Sequence, residues 1–169
     1  MPIVVIAYEN VQPLFADTEE KLLELRKRFL AGEKSIVALA KHPVFPEQAD
    51  YLPSGFFQVS GMDLRTDFGP YGNWMNFLGL LCKLFHDKDL QAFVKEPEEA
   101  KAFTELLSFD VRGQHYAMGP VTCAKLAEDF HVGHGVAARL GASFQNQYEA
   151  LQRCFNTAKR NGAVTFNGP

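Results

Sequence analysis

Residues 63–86, DLRTDFGPYGNWMNFLGLLCKLFH, decide the fold of this 169-residue chain. From Asn73 onward the polar positions fall on one narrow stripe at about 100° per residue. The apolar positions cover the rest of the wheel: Trp74, Met75, Phe77, Leu78, Leu80, Leu81, Cys82, Leu84 and Phe85. A helix that is apolar on most of its circumference has to be covered by other elements. We therefore predict a central helix over about 73–86, wrapped by the rest of the chain.

The remaining elements follow from apolar spacing and from helix-stop residues. Helices are predicted at 17–31, 35–41, 87–94, 97–107, 120–130 and 137–158, and Gly133 and Gly135 are expected to interrupt the helix that Pro120 opens. Short strands are predicted at 3–8, 55–60, 108–111 and 163–166. The prediction is a single α+β domain, 1–169, with a mostly helical core around the central helix and a small, largely antiparallel sheet.

Composition excludes several classes of function. A formal charge of −3 and scattered basic residues argue against nucleic acid as a partner, since such domains usually carry a basic stripe. The three cysteines, Cys82, Cys123 and Cys154, are odd in number and far apart, which fits neither a disulfide framework nor a CxxC metal site. No basic leader and no apolar run of about 18 residues occurs. We expect a cytoplasmic protein without a cofactor and without a membrane partner.

Two loops that contain glycine and proline are the main candidate for a functional surface. The first, 67–72, leads into the central helix, and the second, 112–119, leads into the helix at Pro120. Both place unpaired N–H groups of a helix start beside polar and aromatic side chains. If the loops lie together, they form one binding surface from Asp63, Arg65, Asp67, Phe68, Tyr71, His115 and Tyr116. The plainer alternative is that glycine and proline only stop and start helices.

Two further groupings could carry chemistry. His131 and His134 follow Glu128 and Asp129, a spacing that could hold zinc, although no third ligand is fixed by spacing. Histidine near a helix C-terminus is also ordinary because of the helix dipole.

A thiol nucleophile is the other possibility, either Cys123 or Cys82, with His115 or His86 as its base. Both cysteines lie on predicted inner faces of helices, where cysteine usually acts as a small apolar residue. The sequence pattern therefore favours a structural role for both.

Three segments carry a resemblance to known sequences: DFGPYGNWMNFLGLLCKL (67–84), GPVTCAKLAEDF (119–130) and the closing 148–166 segment with NGAVTF. Together they resemble a family of small uncharacterised proteins from bacteria and prophages. That family carries no assigned reaction, so the resemblance implies no catalytic residues. The chain departs from the family around His115 and Tyr116, where a shorter acidic turn is expected.

The leading interpretation is a non-catalytic cytoplasmic protein that binds another protein through the two-loop surface. An immunity or antitoxin-like role fits a mildly acidic, stand-alone domain without catalytic motifs. The competing hypothesis is a small hydrolase or a metal-assisted enzyme that uses His115, His131, His134 and a nearby aspartate. A third possibility is that the apolar excess serves a homodimer.

Overall fold

Six α-helices and a five-stranded antiparallel sheet form the part of the chain that the computed structural model describes, residues 2–97, 101–109, 111–112 and 115–167. The strands are β1 (Pro2–Pro13), β2 (Ile36–Leu39), β3 (Gly55–Pro70), β4 (Tyr116–Met118) and β5 (Ala163–Asn167). The helices are α1 (Glu19–Leu30), α2 (Tyr71–His86), α3 (Leu90–Lys95), α4 (Thr104–Ser108), α5 (Pro120–Ala137) and α6 (Ala142–Ala158). This is the α+β architecture that the sequence predicts.

The sheet curls until its two edge strands meet. Its strand order is β2-β3-β1-β5-β4, and every pairing is antiparallel. Just after β2, the Ala40 N–H donates to the His115 carbonyl at 3.1 Å, and the Ala40 carbonyl accepts from the Ala117 N–H at 3.0 Å. The curl encloses a small apolar cluster of Leu39, Leu52, Phe57, Ala117 and Ala163. The edges therefore satisfy part of each other's backbone hydrogen bonding.

The central helix is confirmed. In α2, Trp74, Phe77 and Leu81 are at most 1% exposed. They pack with α5, α6 and the helix-facing side of the sheet into one large core. Burial of each such side chain contributes roughly 1.5–3 kcal/mol, so this helix supplies much of the driving force for folding.

The predicted helix at 35–41 is wrong, because Ile36–Leu39 is strand β2. Four residues show too little periodicity to separate the two structures, and pairing with β3 decides the outcome. The predicted strand at 55–60 is correct but too short, since β3 continues to Pro70. The supposed first loop is thus the end of a strand, and α2 begins directly at Tyr71.

Four helix predictions need new bounds. α5 continues through Gly133 and Gly135, and α6 begins only at Ala142, after Gly141 and a short 3₁₀ turn. Asp87 does not start a helix: it ends α2 with a φ of +52°, and α3 follows at Leu90.

The 97–107 prediction shortens to α4, and its Glu98 and Glu99 lie outside the described residues. The strand predicted at 108–111 does not form at Ser108, the last residue of α4, or at its C-cap residue Phe109, and Asp110 lies outside the described residues. Strand β4 has no counterpart in the sequence predictions because its three residues form hydrogen bonds only with remote segments.

Candidate functional site

Alternation along β3 divides the predicted binding surface. Leu64 packs against the main core, and the Thr66 hydroxyl contacts the Cys154 thiol of α6 at 3.7 Å. The intervening side chains point to the opposite face, where Asp63, Arg65 and Asp67 are exposed.

Phe68 faces the helices and is only 3% exposed. It packs edge-on against Trp74, with ring centroids 4.9 Å apart. Phe68 therefore belongs to the core and not to a binding surface.

His115 and Tyr116 are separated in the same way. His115 is exposed, and its Nδ1 forms a hydrogen bond with the Asn167 side chain of β5. Tyr116 turns inward, where its ring contacts His42 at 4.7 Å and Phe109 at 6.5 Å between centroids. Its ring supports the fold, whereas His115 lies on the same face of the sheet as the three charged residues of β3.

The two Gly-Pro turns do not share a surface. Pro70 pairs with Pro2 at one end of the sheet. β4 ends at Met118, which lies level with Ala7 of β1 across the intervening strand β5. Along β1, Pro2 and Ala7 are five residues apart, which corresponds to about 17 Å in the strand direction. The turn at Pro120 is therefore remote from the turn at Pro70.

The Gly-Pro turn at Pro120 has a structural task. The Asp50 carboxylate accepts from the N–H groups of Val121 and Thr122 at 2.7 and 3.1 Å, and from the Thr122 hydroxyl at 2.9 Å. It thereby satisfies the first turn of α5 from a distant segment. Gly119 is required beside it, because a Cβ there would lie 2.5 Å from the Ala49 carbonyl oxygen.

Tyr71, near the end of the first segment, does meet Arg112, at the beginning of the second. The Arg112 guanidinium lies over the Tyr71 ring, 5.9 Å from its centroid. Beside this contact lies a cavity of about 380 Å³, which we call the α2–α3 groove. Its walls come from α2, α3, α4 and the segment after α4: Tyr71, Met75, Leu78, Leu90, Gln91, Val94, Lys95, Leu107, Ser108, Phe109 and Arg112.

Local sequence explains how the groove forms. The left-handed conformation of Asp87 reverses the chain, so α3 folds back beside α2. Leu90 and Val94, four residues apart, then face the same side of α3. Val94 remains 52% exposed, so the groove is open along this wall.

The groove combines an apolar wall with a basic rim. Its two charged residues among the described lining are Lys95 and Arg112, although the whole chain is acidic. The Ser108 hydroxyl oxygen is buried in the wall and has no hydrogen-bond partner among the described residues. A buried hydroxyl without a partner is costly, so the Ser108 hydroxyl is a candidate for one further hydrogen bond at this wall.

The described contacts of the three histidines of the enzyme hypothesis do not bring them to one site. His134 approaches Glu149 of α6 at 4.0 Å, His115 contacts β5, and His131 is exposed on α5. In the described part of the chain, no cluster of three or more His, Cys, Asp or Glu side chains could hold a metal ion.

The thiols are buried. Cys82, Cys123 and Cys154 are all inaccessible within the core. Burial raises the pKa of the Cys123 thiol well above its ordinary value and also raises the pKa of the Cys154 thiol. A reactive cysteine needs the opposite setting, accessible and electropositive. His86, the other proposed base, holds its Nε2 2.7 Å from the Ala102 carbonyl oxygen.

Comparison of the chain with protein families, with curated proteins and with solved structures gave no match. None of the helices in the described ranges combines the length and the apolar character that crossing a bilayer requires.

Sequence reasoning found Tyr71 but missed most of the groove. The clearest signal was the Leu90–Val94 pair on a helix too short to bury both residues. In the sequence, Arg112 marks only the start of a predicted loop. Its position over Tyr71 depends on how α3 and α4 fold back on α2, which no local pattern encodes.

Proposed function

We propose that this protein is a binding protein that captures a segment of a protein partner in the α2–α3 groove. The segment is apolar at its centre and acidic at its flanks. The observation that carries the proposal is the apolar wall bordered by Lys95 and Arg112, with the unpartnered Ser108 hydroxyl inside it.

The apolar wall sets the central requirement. A cavity of about 380 Å³ lies at the small end of ligand sites and accommodates one or two apolar side chains. Met75 contributes an adaptable wall, because its unbranched thioether chain adjusts to different shapes. Burial of one leucine or phenylalanine side chain is worth roughly 1.5–3 kcal/mol, which favours a partner with a large apolar anchor.

The polar groups set orientation and charge. Lys95 and Arg112 favour carboxylates beside the anchor, and a basic rim on an acidic chain repels basic competitors. The Ser108 hydroxyl offers a hydrogen bond to a backbone group of the segment. The immunity or antitoxin-like role expected from the sequence is one form that such capture could take.

Acid–base chemistry in this groove has little support. Its described lining contains no histidine, cysteine or carboxylate. Ser108 therefore has no base beside it there, as a nucleophile would require. The groove favours recognition over the hydrolase alternative.

A defined peptide pair tests the proposal. We expect the labelled peptide acetyl-Glu-Leu-Phe-Glu-amide to bind weakly but saturably in fluorescence anisotropy, and its Lys-flanked counterpart to bind at least about tenfold more weakly. Val94→Glu should abolish binding, whereas Val132→Glu, an exposed valine of α5 outside the groove, should leave it unchanged. Arg112→Gln should reduce the preference between the two peptides, because Lys95 remains, and Arg139→Gln is the matched control.

Two results would refute the proposal. One is equal affinity for both peptides in the native chain. The other is equal loss of binding in Val94→Glu and Val132→Glu, since the site would then lie elsewhere.

A further inference from the structure

Helix α1 is apolar on two sides, yet none of its residues is buried. On the inner side, the Phe29 ring meets Phe56 of β3 with centroids 5.5 Å apart. On the outer side, Leu23 is 53% exposed and Leu30 is 81% exposed. Phe15, just before the helix, is 82% exposed. Large apolar side chains exposed along one side of a helix are typical of an interaction surface.

The outer residues form one stripe. Glu19, Leu23, Arg26 and Leu30 follow each other at intervals of four, three and four residues. This is the spacing of a seam between two packed helices. At about 100° per residue, the four positions lie within a narrow sector, and Phe29 points well away from it.

On the outer half of α1 the charges are ordered along its length, whereas Lys21 and Glu24 lie on the other half. Glu19 and Glu20 occupy the first turn, while Arg26 and Lys27 lie towards the end. All four side chains are exposed, and none forms an ion pair within the described residues. A second helix with the same charge order complements this one only when it runs in the opposite direction.

We infer that α1 is a homodimer interface, in which two copies of this chain pack their outer stripes antiparallel about a two-fold axis at Leu23. The inference rests on surfaces separate from the α2–α3 groove and does not depend on the function proposed for it.

The two-fold axis fixes the register between the copies. Each Glu19 lies beside Arg26 of the second copy, and each Glu20 lies on the same flank as its Lys27, both offset along the helix by only one residue. Leu30 comes level with residues 15 and 16, just before α1 of the second copy. An isologous contact of this kind closes with two chains and does not propagate into fibres.

The interface is small. A helix of 12 residues is about 18 Å long, and its pairing buries less than the roughly 1,200 Å² typical of a stable complex. The dimer is therefore reversible, and its population increases with protein concentration.

Sedimentation equilibrium over a concentration series is the first test. We expect the full chain to show a monomer–dimer equilibrium, which Leu30→Glu weakens at least about tenfold because it places two carboxylates beside the apolar contact. Val132→Glu, an equally exposed apolar position on α5, should not change the dissociation constant. A strictly monomeric native chain, or equal effects of both substitutions, would overturn the inference.

Cross-linking tests the direction of packing. The three native thiols are buried, so a thiol introduced on α1 is the accessible one among the described residues. Glu19→Cys and Lys27→Cys, mixed and treated with a short bis-maleimide, should link to each other far more than either links to itself. Preferential self-linking of each variant would show parallel packing and overturn the inference.

Discussion

Gly133 and Gly135 give opposite predictions for the same substitution. Both lie inside α5, where the sequence suggested a break and the helix instead continues to Ala137. A Cβ at Gly135 meets nothing within 4 Å, whereas a Cβ at Gly133 lies 2.6 Å from Phe85 Cζ and 2.6 Å from Tyr148 Oη. The contrast therefore separates helix propensity from packing at two neighbouring sites.

For Gly135→Ala, only the backbone matters. Alanine restricts the unfolded chain and suits a helix interior, so the free energy of unfolding should increase by about 0.5–1 kcal/mol. In a chain of this length, about 1 kcal/mol corresponds to roughly 2–4 °C in Tm.

For Gly133→Ala, the same gain is outweighed by overpacking. Tyr148 is fully buried and donates a hydrogen bond to the Phe130 carbonyl at 2.7 Å, so its hydroxyl has no room to withdraw. Displacing it costs about 1–3 kcal/mol for the packing and about 1–3 kcal/mol for the unpaired hydroxyl. After subtraction of the helix gain, we expect a net loss of at least about 1 kcal/mol.

Urea denaturation of both variants measures the difference directly. Tyr148→Phe supplies a further check, because it removes the oxygen that the new Cβ would meet. The double variant Gly133→Ala with Tyr148→Phe should lose less stability than the sum of the two single variants. Equal stabilisation by Gly133→Ala and Gly135→Ala would refute the reasoning.

Two further predictions concern the carboxylates of Asp50 and Glu33, which lie in loops. Asp50→Ala should lower the free energy of unfolding by about 0.5–2 kcal/mol in urea, because the first turn of α5 loses its acceptor, and Asp50→Asn should lose less; equal losses would argue against a capping role. Hydrogen bonds from Arg28 and Ser35 hold the pKa of Glu33 at about 2, below its ordinary value of 4.5. Since a lowered carboxyl pKa stabilises the folded state above the ordinary value, the Tm advantage over Glu33→Gln should be full above about pH 4.5 and vanish as the pH falls towards about 2; a constant difference in thermal scans across this window would contradict that assignment.

The central helix could be predicted because its information is local. Apolar residues around the wheel of 73–86 require burial whatever covers them, and the structure places Trp74 and Phe77 in the core. The same holds for the buried face of α5 at Cys123, Leu126 and Phe130. Periodicity over four turns outweighs any contribution from a single remote contact.

The short strands could not be predicted, because their stabilisation is not local. β2 and β4 contain four and three residues, and their hydrogen-bond partners lie far away in the chain. The prediction that Gly133 and Gly135 interrupt α5 was wrong for a related reason. At Gly133 the side chains of Phe85 and Tyr148 occupy the space of a Cβ, so this glycine serves close packing and does not break the helix.

The residues of the α2–α3 groove also divide into those that local sequence predicts and those that only the fold brings together. Tyr71 could be predicted because it lies in the turn just before the predicted helix, whereas Arg112 reaches it only through the folding back of α3 and α4. Burial in the core determines which groove residues can be changed without unfolding the protein. Leu78 and Leu107 are buried and hold the core together, so their loss changes stability and binding at once. Val94 is half exposed and outside the core, so a change there alters recognition while the fold persists, and it separates the two effects.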